Sequence, residues 1–266
     1  MINPFIAVIN QSLPEPQAGL LNGILFGVKA HLDSQLYQAL ITTGTVHIIA
    51  LSGQNISILT NVISKLTIPL GRKKSSLITI ICILAFILFV GPSSTIIRAA
   101  IMGCLSLLAV YFGKQLWSLL SLFLAAGVML LFKPDLVAEI SFQLSFLATL
   151  GIILYGSTPR SDSSDLSKQL WQDIRINFQT TIAAQVFTAP VILIHFHRFS
   201  IIAPITNVLI AWMITPIMVL GFITSIVGWL FLPLGQVTGY VVLVPLQLMV
   251  LIVDSCAKIP FASISF

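Results

Sequence analysis

The sequence predicts an all-α fold, a polytopic transmembrane helical bundle with about 7–8 spans, and three observations predict it. Hydrophobic residues fill 57% of the 266 positions, and mean hydropathy is +1.05. Only 8% of residues are charged, against roughly 25% in a soluble domain. The apolar residues fall into long runs with short polar links, as a bilayer needing about 20 apolar residues per span demands. Thirteen Lys and Arg with eight Asp and Glu cannot coat a water-soluble globule of 28.9 kDa. An ordinary soluble enzyme, a disordered chain and a disulfide-stapled secreted module are thereby excluded.

The elements follow in chain order. Residues 1–46 are the more polar part and read as an N-terminal interfacial segment, lying on the membrane surface or packing on the bundle. Pro14 and Pro16 interrupt it, Leu20–Val28 is apolar but too short to span, and Leu36, Leu40 and Ile41 form a helical stripe. Met1–Asn10 has no basic stretch followed by an apolar run, so no cleavable signal peptide is expected. Residues 47–266 read as the transmembrane domain. Its spans are expected near 47–70, 76–92, 95–112, 116–132, 136–156, 176–197, 200–232 and 236–258. Pro204 and Pro216 remove backbone donors from the long seventh run, which therefore reads as a broken or strongly tilted helix.

Loop charge gives the orientation. Arg72, Lys73 and Lys74 join the first two spans, Lys114 the third and fourth, and Arg160, Lys168 and Arg175 the fifth and sixth. Lys133, Arg198 and Lys258 fall on the other face. The richer face should be cytoplasmic, with both chain ends outside. The net charge of +5 thus reflects loop lysine and arginine before it reflects a nucleic-acid partner. Cys82, Cys104 and Cys256 lie in apolar stretches without metal-ligand spacing and read as small packing residues.

Ionisable and amide side chains inside spans are expensive and so carry information. Arg98 and Glu139 fall at similar depth near the outer ends of spans three and five, where they can pair. Such a pair either fixes helix packing or lines a polar path. His47, Ser52 and Asn55 lie on HIIALSGQN, and Gln143 follows Glu139 by one helical turn. His195, His197 and Arg198 close the sixth span, and Asn207 stands beside Pro204. Each alone reads as a helix–helix hydrogen bond; together they suggest a polar cavity opening outward. Gly44, Gly53, Gly91, Gly103 and Gly151 permit close helix approach, and Ser52-Gly53 is a candidate break in the first span, as in transporters.

No HExxH, Walker A loop, CxxC or close His/Asp metal cluster is present, so neither a metal nor a cofactor is expected. Ser52 with His195 or His197 has the residue types of an intramembrane serine protease, but the GxSxG context is missing. Any transport needs a gradient or a partner motor.

The run TGTVHIIALSGQNISIL (Thr43–Leu59) resembles the signature of the ComEC family of bacterial competence DNA-internalisation channels. Gly44, Thr45, His47, Ala50, Ser52 and Gly53 carry the likeness. LPEPQAGLLNGILFG resembles the family's opening segment, and GPSSTIIRAAIMG its Ser-x-x-Arg-Ala block with Arg98. FQLSF (Phe142–Phe146) and the FHRFSIIAPITNVLI run with Pro204 and Asn207 resemble two later blocks. The chain departs at Asn55, where many members have His, and at Ser141, where they have Gly. The first exchange removes a titratable group. Fuller members add an outer oligonucleotide-binding fold and a soluble nuclease domain, and neither fits in 266 residues. The resemblance therefore implies a non-enzymatic membrane core, either a short family form or a truncated reading frame.

That resemblance implies passage of single-stranded DNA across the bacterial cytoplasmic (inner) membrane during natural transformation. It also implies a separate DNA receptor, nuclease and cytoplasmic motor, with a homo-oligomer as one way to build the pore. His47, Ser52, Asn55, Arg98, Glu139, Gln143, Arg198 and Asn207 are the expected lining of the DNA path. Arg98 and Arg198 would contact phosphates, and Phe142 and Phe146 would either stack bases or pack in the core. A small-solute or lipid permease and a non-transporting scaffold remain the alternatives that composition allows.

Overall fold

The computed structural model describes residues 2–28, 32–156 and 166–265. They form an all-α helical bundle with two compact units. One is Leu51–Ile153; the other joins Ile2–Ala50 to the chain from Leu154 onward.

The first unit holds α4 (Gly53–Thr67), α5 (Arg72–Val90), α6 (Ser94–Tyr111), α7 (Ser118–Phe132) and α8, which begins at Ile140 and ends at Tyr155. Gly103 on α6 meets Ile56 of α4 and Ile83 of α5, since the missing side chain lets both approach. Lipid offers no hydrophobic drive for helices to associate, so hydroxyl contacts and close packing must hold α4 to α5. Ser64 and Thr79 hydroxyls lie 3.2 Å apart, and those of Thr67 and Ser75 2.7 Å. Between α7 and α8, Ala126, Met129, Leu136 and Phe142 form a small apolar core. At the far end of α6 the Lys73 ammonium sits 5.7 Å from the Tyr111 ring centre, so the basic start of α5 and the end of α6 share one side.

The second unit holds α1 (Asn3–Ser12), α2 (Gln17–Phe26), α3 (Ser34–Thr42), α9 (Leu166–Phe196), α10 (Ala203–Leu230) and α11 (Leu232–Ala257). Short strands β1 (Arg198–Ser200) and β2 (Ser263–Ser265) pair antiparallel, with Phe199 opposite Ile264. α3 starts where the Asp33 carboxylate accepts from the Leu36 amide at 3.1 Å, as an N-cap should. α10 and α11 cross where Gly228 faces Gly235, and Val8 of α1 packs on the same spot. α2 is buried almost all round, and its Leu21 and Leu25 lie against Gly221 of α10. Gly44 has φ +68°, and a Cβ there would lie 2.7 Å from Ala203 Cβ. Both its backbone and its surroundings exclude a side chain.

The structure differs from the sequence reading in several ways. Among the described residues, five helices are long and apolar enough to cross a membrane: α5, α6, the Trp171–Phe196 part of α9, α10 and α11. Those in the other three expected spans, α4, α7 and α8, have 15, 15 and 16 residues, only about 23 Å of helix at 1.5 Å per residue. α4 and α8 are short because the apolar run begins outside the helix. Residues 46–48 form a 3-10 turn, 49–52 are not helical, and a second 3-10 turn covers Pro134–Ala138. The expected break at Ser52-Gly53 is therefore present. Of the two readings of the seventh run, broken or strongly tilted, the break is not seen, and α10 is continuous through Pro216. Pro204 falls in its first turn, where no intrahelical acceptor awaits an amide. Arg72, Lys73 and Lys74 belong to the first turn of α5 and not to a loop. Arg175 lies inside α9, which starts ten residues before the expected span; Arg160 and the side chain of Lys168 lie outside the described residues.

Candidate functional site

The site grows from the break before α4. A backbone that leaves the helix inside an apolar run exposes carbonyls and amides that lipid cannot satisfy. The Leu51 carbonyl accepts from Thr95 Oγ1 of α6 at 2.7 Å. The non-helical approach to α8 is treated likewise: Gln143 Nε2 donates to the Val137 carbonyl at 2.8 Å. Two polar residues inside spans are thus explained by the broken backbone beside them.

Ser52 occupies the N-cap position of α4 with extended backbone (φ −121°, ψ 169°), yet its side chain caps nothing. Its hydroxyl donates instead to Asn55 Oδ1 at 3.4 Å. The first amides of α4, from Gly53 and Gln54, have no intrahelical acceptor and keep their partial positive charge. Arg98 lies across from them on α6. It is 6% exposed, and its Nε and Nη1 have no hydrogen-bond partner among the described residues. Its Nη2 is 3.5 Å from the point where Gly53 would carry a Cβ, and Ala99 Cβ is 3.3 Å from that point. Glycine at 53 is what lets α4 and α6 approach this closely. Two sources of positive potential, a helix start and a guanidinium, therefore lie side by side.

Glu139 does not neutralise Arg98. Its carboxylate pairs with Lys133 at 3.0 Å, with both side chains substantially exposed. The expected Arg98–Glu139 pair is absent because the 3-10 turn between Lys133 and Glu139 folds those two together. Beside them, an open groove of about 770 Å³ is lined by Pro92, Ser93, Ser94, Lys133, Glu139 and Ser141 among others. Ser94 Oγ donates to Ser141 Oγ at 3.3 Å across it. Ser52, Asn55, Arg98, Glu139 and Gln143 thus belong to the first unit. Phe142 is buried in the apolar core, its ring stacked 6.2 Å from that of Phe146; this is the packing role.

His47, Arg198 and Asn207 belong to the second unit. His47 Nδ1 lies 3.1 Å from the Gly44 carbonyl, and the hydroxyls of Thr43 and Thr45 meet at 2.8 Å beneath that turn. Gly44, Thr45 and His47 therefore shape a local turn. Arg198 is exposed on β1, and Asn207 is half-buried on α10. His195 and His197 are exposed as well. Among the described residues no group of three or more His, Cys, Asp or Glu is placed to hold a metal ion.

Sequence reasoning missed Thr95 and Lys133. Thr95 lies three residues before Arg98, and that spacing puts both on one side of α6. Lys133 went unpaired in the reading because helical periodicity does not extend into a 3-10 turn.

A bundle with long lipid-length helices, apolar side chains exposed throughout and polar groups folded around helix breaks is an integral membrane protein. Within that class, residues 24–266 match the family described as Competence protein, and the chain belongs to that family. It is similar to ComE operon protein 3 of Bacillus subtilis (strain 168), with 29% identity over 206 residues covering 77% of this chain. It is also similar to an uncharacterized protein of Aquifex aeolicus (strain VF5), with 28% identity over 195 residues and 73% of this chain. The matches span 26% and 43% of those relatives, so the chain corresponds to part of each. No solved structure matches it.

Proposed function

We propose that this chain is the membrane core of a channel that takes single-stranded DNA across the bacterial cytoplasmic membrane in natural transformation. The observation that carries the reading is a buried guanidinium without a partner, facing an uncapped helix start, in a chain of the Competence family. A strand carries one negative charge per nucleotide and needs positive, wettable contacts along its path. Arg98 and exposed Arg198 supply cationic contacts, with Ser52, Asn55, Glu139, Gln143, His47 and Asn207 as the polar lining. Contacts must also be weak enough to release the strand. The remaining parts of the proposal are residues 1–46 as an interfacial segment ahead of the 47–266 channel, no catalytic role for the chain, and reliance on a separate receptor, nuclease and motor.

The test is complementation. The chain is expressed in a naturally competent host lacking its own channel, with outer and nuclease domains supplied as separate chains. Transformants are counted beside an Arg98→Ala chain of equal membrane abundance. Restored transformation that Arg98→Ala abolishes is the expected result. Correct insertion with no transformants, together with saturable uptake of a small solute, would make the chain a permease and end the DNA reading.

A further inference from the structure

The groove beside Lys133 and Glu139 has two unlike parts. Its floor is apolar, made by Ile97 and Ile101 of α6 with Val128 and Met129 of α7. Its mouth is polar, with Ser93, Ser94 and Ser141 beside the Lys133 ammonium and the Glu139 carboxylate. All of it lies within the first unit. At about 770 Å³ it falls in the range of pockets that hold organic ligands.

The surroundings and the charges narrow the occupant. Leu124, Val128 and Leu131 follow one side of α7 at helical spacing and are all exposed. A hydrocarbon chain therefore reaches the floor sideways from the bilayer. The mouth carries one cation and one anion, 3.0 Å apart on exposed side chains. Lys133 gives one N–H to Glu139 Oε1, which leaves two ammonium donors for a phosphate and Oε2 for a second donor. An exposed pair of this kind is worth little by itself, so sharing its charges with a ligand costs little. The complement is an apolar tail whose head carries a phosphate and, two carbons away, an ammonium with N–H groups.

We infer that this groove binds one phosphatidylethanolamine molecule, its acyl chain on the apolar floor, its phosphate on Lys133 and the serine hydroxyls, and its ammonium on Glu139. A choline head has no N–H to donate to Glu139. Phosphatidylglycerol has no cation at all, and its phosphate would face an unmatched carboxylate. The site therefore selects the zwitterion that keeps its N–H groups. The inference goes beyond the DNA reading and does not rest on it. Where Glu139 belongs to the polar lining, it does so as a compensated carboxylate.

The test uses the full chain purified into nanodiscs of equal parts phosphatidylethanolamine, phosphatidylglycerol and phosphatidylcholine with the same acyl chains. Native mass spectrometry of the released protein counts the lipids it keeps. The parent chain should keep one phosphatidylethanolamine about tenfold over either competitor, the size of one charge-assisted hydrogen bond. Glu139→Gln should remove that preference, and Lys133→Gln should lower retention of phosphatidylethanolamine and phosphatidylglycerol alike. Val128→Trp, on the exposed side of α7, lays a ring in the groove and should lower retention of all three. A series on the parent chain needs no variant: ethanolamine, its N-methyl and N,N-dimethyl forms and choline should hold until the last N–H is lost.

A parent chain that keeps phosphatidylglycerol or phosphatidylcholine as strongly as phosphatidylethanolamine would overturn the inference. So would an undiminished preference in Glu139→Gln. Parental retention by Val128→Trp would place the lipid elsewhere and overturn the groove assignment. None of these measurements uses nucleic acid, so each of these failures leaves the channel reading standing.

Discussion

Thr95→Val is the sharpest test of the broken backbone before α4. The substitution keeps the shape of the side chain and removes one O–H donor, the one that satisfies the Leu51 carbonyl at 2.7 Å. A buried acceptor left without a donor costs about 1–3 kcal/mol. Leu51 is only half-buried, so the lower part of that range applies, about 1–2 kcal/mol. The loss is local to the junction of Leu51 with the first turn of α6, where Ser93 Oγ also lies 3.1 Å from Thr95 Oγ1. One to two kcal/mol corresponds to a factor of about 5 to 30 in an opening equilibrium. Hydrogen exchange by mass spectrometry on nanodisc-embedded protein reads this directly. Peptides covering residues 50–60 should exchange about 5 to 30 times faster in Thr95→Val, and peptides of α10 and α11 at the parental rate. Thr95→Ser, which keeps the hydroxyl, should behave as the parent. Parental exchange at 50–60 in Thr95→Val would refute the reasoning, as would equal acceleration everywhere, since the first denies the bond its role and the second denies that the loss is local.

Three further substitutions test the packing and the electrostatics. A Cβ at Gly235 would run into the backbone of Gly228, which cannot rotate away, so Gly235→Ala should destabilise by about 1–3 kcal/mol and lower the thermal midpoint in detergent. Gly127→Ala, with nothing within 4 Å, should leave the midpoint unchanged or raise it slightly. Glu139→Gln removes an exposed ion pair with Lys133, worth about 0–1 kcal/mol. Its midpoint should shift little at any salt concentration; a large drop would mean that Glu139 neutralises a buried charge after all.

The polar residues inside spans show how far sequence reading reaches. Arg98, Ser52, Asn55 and Gln143 stood out because lipid tolerates such groups only for a reason. Their type and depth were legible. Their partners were not, since a partner is set by where another element passes. Arg98 and Glu139 looked complementary on paper, yet the 3-10 turn at Pro134–Ala138 gives Glu139 to Lys133. Gln143 stood out as a polar group at depth, and the structure shows its amide donating to the carbonyl of Val137. Phe142 and Phe146 carry two readings in the sequence, and the ring stack within the α7–α8 core selects packing.

The sequence by itself determined the solvent, the fold class and the family. Those follow from composition, run length and short motifs, all of which are local properties of the chain. For Ser52-Gly53 it left two readings, a break or close helix packing, and the tertiary structure shows residues 49–52 outside the helix. The tertiary structure decided which proline-bearing run stays continuous, which apolar runs start outside a helix, and which charges remain unpaired. Each depends on what packs alongside: a broken backbone survives only where another element supplies its hydrogen bonds, as Thr95 does for Leu51.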